Sequence, residues 1–158
     1  MLYAGADHRV LGYLGRALSL EMSAVQLYIT QARLVAAWGL DEPAERLRGE
    51  ANEEMEHAER IIARMLSLGV APNASQLRPV RLGSSLRELL QHNHAFENEL
   101  VRLYDDATRH CARVGDDNSR MFFEKLLEEE RGHSQELLEW LETLRQPAAG
   151  AAPAGAVF

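Results

Sequence analysis

The chain has 158 residues, enough for one domain that buries a core without covalent staples. Hydrophobic residues make up 46% and charged residues 26%, and a formal net charge of -7 weighs against nucleic acid and anionic membranes as partners. With Cys111 as its one cysteine, no run of about 18 apolar residues and no signal-like N-terminus, the chain reads as a soluble protein of the reducing cytoplasm, without internal disulfides or a cysteine-rich metal site.

The hydrophobic spacing is helical throughout, and no strand-like alternation stands out. A first helix is expected over about residues 7–38, with Asp7 as its cap and Gly39 at its left-handed end. A second runs over about 42–68, with Asp41 as N-cap, Pro43 tolerated in the first turn and Gly69 after the end. Residues 70–83 hold Pro72, Asn73, Ser75 and Pro79 and read as an irregular connector. A third helix covers about 85–114, capped by Ser84 or Ser85 and closed by Gly115; a fourth covers about 118–145, after the Asp116-Asp117 turn. Residues 1–145 thus form the domain, and the Pro/Ala/Gly-rich residues 146–158 read as a disordered tail. Of the 17 basic residues only Lys125 is lysine, and they are scattered along the chain without forming a patch.

The two short turns make the first and last helix pairs antiparallel hairpins. The second helix rises about 40 Å at 1.5 Å per residue, and the connector spans roughly 45 Å when extended. It can return the chain along the whole bundle. The expected fold is an all-α four-helix bundle with a long crossover between the second and third helices, in up-down-down-up order.

One face of each helix carries an apolar stripe at steps of four and three. The stripes are Leu14, Leu18, Glu21, Val25, Tyr28, Ala32, Val35; then Leu47, Ala51, Glu54, Ala58, Ile61, Met65, Leu68; then Leu90, His94, Glu97, Val101, Tyr104, Thr108, Cys111; and Phe123, Leu126, Glu130, His133, Leu137, Trp140, Leu144. Each contains a glutamate near its middle. A buried carboxylate is costly unless it is paired or binds a metal, and four at one level repel each other. The spacing places them at one level: Glu21 and Glu54 stand 33 residues apart, as do Glu97 and Glu130, with midpoints beside the turn glycines. His57 and His133 each follow a glutamate by three residues and so share its face. A glutamate from each of two helices and Glu-x-x-His from each of the other two is the ligand inventory of ferritin-like di-iron and di-manganese carboxylate proteins. Carboxylate and imidazole donors suit iron or manganese. Glu50, Glu53, Glu56, Glu59, Glu128 and Glu129 read as solvated faces, with Glu50 and Glu53 able to draw cations inward.

Over about residues 7–145 the sequence resembles the bacterioferritin family. The likeness is densest in Glu21-Met-Ser-Ala-Val-Gln-Leu-Tyr28, Ala37-Trp38-Gly39-Leu40, Glu53-Glu54-Met55-Glu56-His57-Ala58-Glu59-Arg60 and Glu128-Glu129-Glu130-Arg131-Gly132-His133. The resemblance implies a dinuclear ferroxidase centre in which Glu21 and His57 hold one iron, Glu97 and His133 hold the other, and Glu54 and Glu130 bridge them. It implies an electron-transfer role for Tyr28, whose other reading is a core tyrosine with a satisfied hydroxyl. It makes Met55 an axial ligand of a haem b shared between two subunits at a two-fold interface. By position alone Met55 points out of the bundle, where methionine also serves as an interface filler.

The chain departs from the family in three places. The family continues into a short fifth helix, whereas Pro147, Pro153 and the glycines of residues 146–158 disfavour one, which puts a 24-subunit cage in question. Gly49 stands where the family often has a histidine serving an inner-surface iron site. His94 stands where an apolar residue is expected, as a polar residue at the edge of the site or an added partner of it.

The function implied is iron storage and detoxification, with Fe(II) oxidised to Fe(III) by O2 or H2O2 at two iron positions per chain. The partners implied are a second copy across a two-fold axis, further copies in a cage and a ferredoxin-type reductant. Two other readings stand beside it: a dimeric di-iron oxidase or peroxidase that stores nothing, and a haem-binding bundle with a vestigial metal site.

Overall fold

A computed structural model describes residues 6–74 and 76–145. The expected tail, and with it the question of a fifth helix, lies outside the described residues. Four helices follow in order: α1 over His8–Ala37, α2 over Asp41–Ser67, α3 over Leu86–Val114 and α4 over Asp117–Thr143. No strand occurs among the described residues, and no helix of theirs is long and apolar enough to cross a membrane.

The helix ends follow from local chemistry. Asp7 accepts the Arg9 N–H at 3.0 Å, Ser85 accepts the Glu88 N–H at 3.2 Å and Asp116 accepts the Ser119 N–H at 3.0 Å. The Glu88 carboxylate reaches back to the Ser84 N–H at 2.9 Å, a reciprocal cap displaced by one residue. One expected cap is different: α2 begins at Asp41, its N-cap is Leu40, and no side chain caps it. Asp41 lies inside the first turn with Glu42, where both charges act on the helix dipole instead. Gly39 and Gly115 close their helices with φ of 80° and 73°, values that a side chain would strain.

Inter-helix hydrogen bonds give the topology. Glu21, Tyr28 and Gln31 of α1 meet Tyr104, Glu97 and Asn93 of α3, so ascending α1 faces descending α3. Likewise Arg60 and Arg64 of α2 meet Glu129 and Ser119 of α4. With two tight hairpins, this is the up-down-down-up order. The connector is fastened where it crosses α1 and α3. The Arg78 N–H donates to Ser23 Oγ at 3.0 Å, and its guanidinium binds Glu99 at 2.6 Å and lies 5.3 Å from the Phe96 ring centre.

Two apolar layers fill the bundle. One holds Leu14, Leu18, Ile61, Leu100, Tyr104, Phe123 and Leu126; the other holds Val35, Leu47, Leu89, Leu90, Leu137 and Trp140. Glu21, Glu54, Glu97 and Glu130 lie between them. Each fully buried Leu or Ile stabilises by about 2 kcal/mol, against a cost of several kcal/mol for each buried ion. The layers can therefore enclose the carboxylates, but the bare charges need neutralising.

The stripes are broader than a strict four-three ladder. In α1 and α3, Val25 and Val101 are half-buried while Ala24 and Leu100 are fully buried. His94 is also only half-buried, its Nε2 3.5 Å from Asn98 Nδ2. The buried polar residue of that turn is Asn93, locked to Gln31 by reciprocal amide bonds of 2.8 and 2.7 Å. Each helix packs against two neighbours, so its buried arc takes in positions adjacent to the stripe.

Candidate metal centre

The six expected ligand residues converge midway along the bundle. Glu21, Glu54 and Glu130 have no exposed surface, Glu97 has 1% and His57 4%. His133 is the most open, with 18% of its side chain exposed. Ligand atoms of Glu21, Glu54, His57 and Glu130 lie within 4.8 Å of one another, and so do those of Glu54, Glu97, Glu130 and His133. Glu54 and Glu130 belong to both quartets, so the two sites are adjacent and share two carboxylates.

Both imidazoles turn Nδ1 inward. His57 Nδ1 lies 2.8 Å from Glu130, 3.4 Å from Glu21 and 3.6 Å from Glu54. His133 Nδ1 lies 2.9 Å from Glu54 and 3.5 Å from Glu130. The rings stack with centres 5.5 Å apart and 15° between planes. Outside them stand two carboxylates: Glu53 is 2.7 Å from His133 Nε2, and Glu129 is 3.4 Å from His57 Nε2. Such outer carboxylates fix a ligating imidazole's orientation and raise its basicity. Two buried tyrosines complete the set. Tyr28 donates to Glu97 at 2.5 Å and Tyr104 donates to Glu21 at 2.6 Å.

These residues recur 76 positions apart: Glu21 and Glu97, Tyr28 and Tyr104, Glu53 and Glu129, Glu54 and Glu130, His57 and His133. The centre therefore has an approximate two-fold axis relating the hairpins. Sequence reasoning counted Tyr104 as plain core and Glu53 and Glu129 as solvated faces. The structure places all three against the candidate ligands, and the common offset is the signal that finds them. Glu50 is half-buried rather than fully solvated, and burial together with the Glu97 charge pushes its carboxyl up to about 8.

Electrostatics show how costly this centre is without cations. Burial, with Glu54 alongside, pushes Glu21 up to about 8. Burial and the surrounding carboxylates hold Glu130 well above the usual range, and burial raises Glu97. Burial pushes Glu54 upward too, but the Glu21 carboxyl and the His133 and His57 imidazoles beside it outweigh that and leave this carboxyl low. Burial opposes charge on the imidazoles, yet the facing glutamates raise His57 to about 10 and His133 to about 9. Protons thus take the place of cations.

The donor set fits metal ions. Glu21 Oε2, both Glu54 oxygens, Glu97 Oε2 and Glu130 Oε2 are buried without a hydrogen-bond partner among the described residues. Although 2.9 Å from His133 Nδ1, Glu54 Oε1 is not aligned to accept from it. Orphaned lone pairs on converging carboxylates, with imidazole and no thiolate, suit iron or manganese. Cys111 lies in the apolar layer. Met55, one residue from Glu54, faces out of α2 and is 38% exposed.

The chain is similar to known proteins over most of its length. The ferritin-like domain family matches residues 11–146. Bacterioferritin of Rhodobacter capsulatus is 41% identical over 137 residues, 87% of this chain and 83% of that protein. Bacterioferritin of Brucella melitensis is 33% identical over the same shares. A crystal structure of the R. capsulatus protein, with a metal-free dinuclear site and haem iron in a crystallographic special position, matches with a TM-score of 0.85 at 35% identity, covering 92% of this chain and 99% of that one. Fold, site and similarity agree that the chain belongs to the bacterioferritin family of ferritin-like proteins.

Proposed function

We propose that the protein oxidises Fe(II) to Fe(III) with O2 or H2O2 and stores the product. The observation that carries this is the pair of buried quartets sharing Glu54 and Glu130, with unpartnered oxygens in both. Glu21 and His57 would hold one iron and Glu97 and His133 the other, with Glu54 and Glu130 shared between them. Two Fe(II) held side by side would supply two electrons, one from each ion, which with two protons reduce H2O2 to water or O2 to H2O2.

The chain's own residues prepare that chemistry. Binding expels the protons held by Glu21, Glu130 and the two imidazoles, so the cations enter without a large change in buried charge. Tyr104 and Tyr28 fix one oxygen of Glu21 and of Glu97, leaving the other oxygen free. Tyr28 also stands close enough to serve in electron transfer, and Tyr104 is its counterpart. Glu53 and Glu129 keep both Nδ1 atoms aimed inward.

A haem fits the exterior. Met55 offers an exposed thioether on the outer face of α2, and one such sulfur from each of two copies would bind a haem b iron on their common axis. The special position of the haem iron in the R. capsulatus structure, a point on a symmetry element, supports that placement. Assembly would proceed from this two-fold dimer to a 24-subunit cage in the cytoplasm, with a ferredoxin-type reductant supplying electrons for iron release.

An iron-loading titration tests the reading. Purified iron-free protein receives increasing Fe(II) under argon and then air, and iron retained after desalting is counted. Retention far above two per chain is expected, and saturation near two would overturn storage. The double variant Glu54→Ala and Glu130→Ala should lose fast oxidation; fast oxidation surviving in it would overturn the centre.

A further inference from the structure

The α2/α4 face holds a second charged site, lined by none of the six candidate metal ligands. Arg60, Arg64 and Ser67 follow at steps of four and three along one face of α2, and Met121, Phe122 and Lys125 oppose them from α4. With Ala63 they line an open cleft of about 460 Å³. The basic residues are scattered in the sequence, but folding brings three of them to one place in a chain of net charge -7.

Two of these three cations, Arg64 and Lys125, form no ion pair among the described residues. Arg60 binds Glu129 at 2.6 Å. Arg64 spends one Nη on the Ser119 hydroxyl at 3.1 Å, and its Nε is buried with no partner among the described residues. Lys125, the chain's one lysine, forms no ion pair among the described residues within 4.0 Å. Like charges one turn apart on a helix repel, and a buried N–H without an acceptor is costly. The Ser67 hydroxyl is already bonded to the Arg64 carbonyl, so any recognition rests on the three cations. Two guanidinium groups and an ammonium converging on a small cleft suit a compact anion carrying several oxygens, with planar donors from α2 and a point charge from α4.

We propose that the Arg60–Arg64–Lys125 cleft binds inorganic phosphate. The anion accepts from the Arg64 Nη that Ser119 leaves free and neutralises Lys125. The site lies close to the metal centre, because the Glu129 that holds Arg60 also meets His57. Its use rests on the iron-storage reading: Fe(III) is a hard cation that takes oxygen-donor anions, and phosphate held here would be at hand where it forms.

Calorimetric titration of the full-length, iron-free protein with sodium phosphate, at constant ionic strength set by chloride, tests the site. One saturable site per chain is expected, weakened about tenfold or more in Lys125→Glu and in Arg64→Gln, and kept in Lys125→Arg. Lys125 is exposed, so its variants keep the fold even where Arg64→Gln disturbs the contact with Ser119. No saturable binding, or binding unchanged in Lys125→Glu, would overturn the proposal. The assay contains no iron, so its failure leaves the di-iron reading standing, and loss of that reading leaves phosphate binding standing.

Discussion

Glu21, Glu130, His57 and His133 all hold protons more tightly in the folded protein than in an open chain. The sign of the resulting pH dependence follows. A raised carboxyl or imidazole contributes stability that is complete below its unfolded pKa and lost as pH rises through the folded value. For Glu21 that window runs from 4.5 to about 8, and for His57 and His133 from 6.5 to about 10 and about 9. The metal-free protein should therefore melt at a lower temperature at pH 8.5 than at pH 6, while the rise in melting temperature on adding Co(II), an air-stable stand-in, should be larger at pH 8.5. Equal Co(II) shifts at both pH values would contradict proton–metal exchange. The tyrosines make a second expectation at this scale. Tyr104→Phe strands Glu21 Oε1 and Tyr28→Phe strands Glu97 Oε1, so each should weaken Co(II) binding about ten- to a hundredfold. The approximate two-fold axis requires comparable losses. The convergence of the six candidate ligands was legible in the sequence because equal spacing about two turns leaves few other meanings for a buried glutamate. Tyr104 was not, because a core tyrosine and one that orients a ligand differ only in what the hydroxyl meets. Neither were Glu53 and Glu129, which look like any charged helix face until the opposite helix is in place.

At the scale of elements, turn chemistry located the helices well. Gly39 adopts the left-handed conformation expected of it, and Gly69 and Gly115, expected after α2 and α3, adopt it too. The exchange of His94 for Asn93 arises because a shift of one residue rotates a side chain by about 100°, and when neighbouring positions are both polar, periodicity does not choose between them. The cap at Asp41 was misplaced for another reason: the helix starts one residue earlier, after Leu40, which no capping preference marks. Asp116 is a clear test of capping here. It accepts the Ser119 N–H at the start of α4, in the turn of the second hairpin. Asp116→Ala should lower stability by about 1 kcal/mol, a fall in melting temperature of about 2–4 °C, with Fe(II) oxidation unchanged. A fall in oxidation rate at constant stability would mean that the cap also sets the register of Glu130 and His133.

For the whole molecule, two layers of apolar side chains carry the bundle, and the centre between them is a local departure from good packing. Met55 lies outside both layers, so haem binding and iron oxidation should separate. Met55→Leu should abolish the haem absorption band of protein expressed with haem available, while the Fe(II) oxidation rate stays within about twofold of the parent. Haem retained in Met55→Leu would reject Met55 as the axial ligand. Up-down-down-up order was legible because the connector, rich in turn residues, is long enough to run the length of a helix. Its fastening to α1 and α3 through Arg78 was not, since no local pattern marks an arginine that bridges two helices at a distance.

The shared carboxylates make one more point about the molecule. Each quartet takes three side chains from one hairpin and one from the other: Glu130 joins Glu21, Glu54 and His57, while Glu54 joins Glu97, Glu130 and His133. Every ion bound there would thus rivet together halves of the chain that share one covalent strand and are otherwise held by the apolar layers and inter-helix hydrogen bonds. Nicking that strand would not free the halves while the rivets hold, and a chelator would leave only the layers and those hydrogen bonds to keep them together.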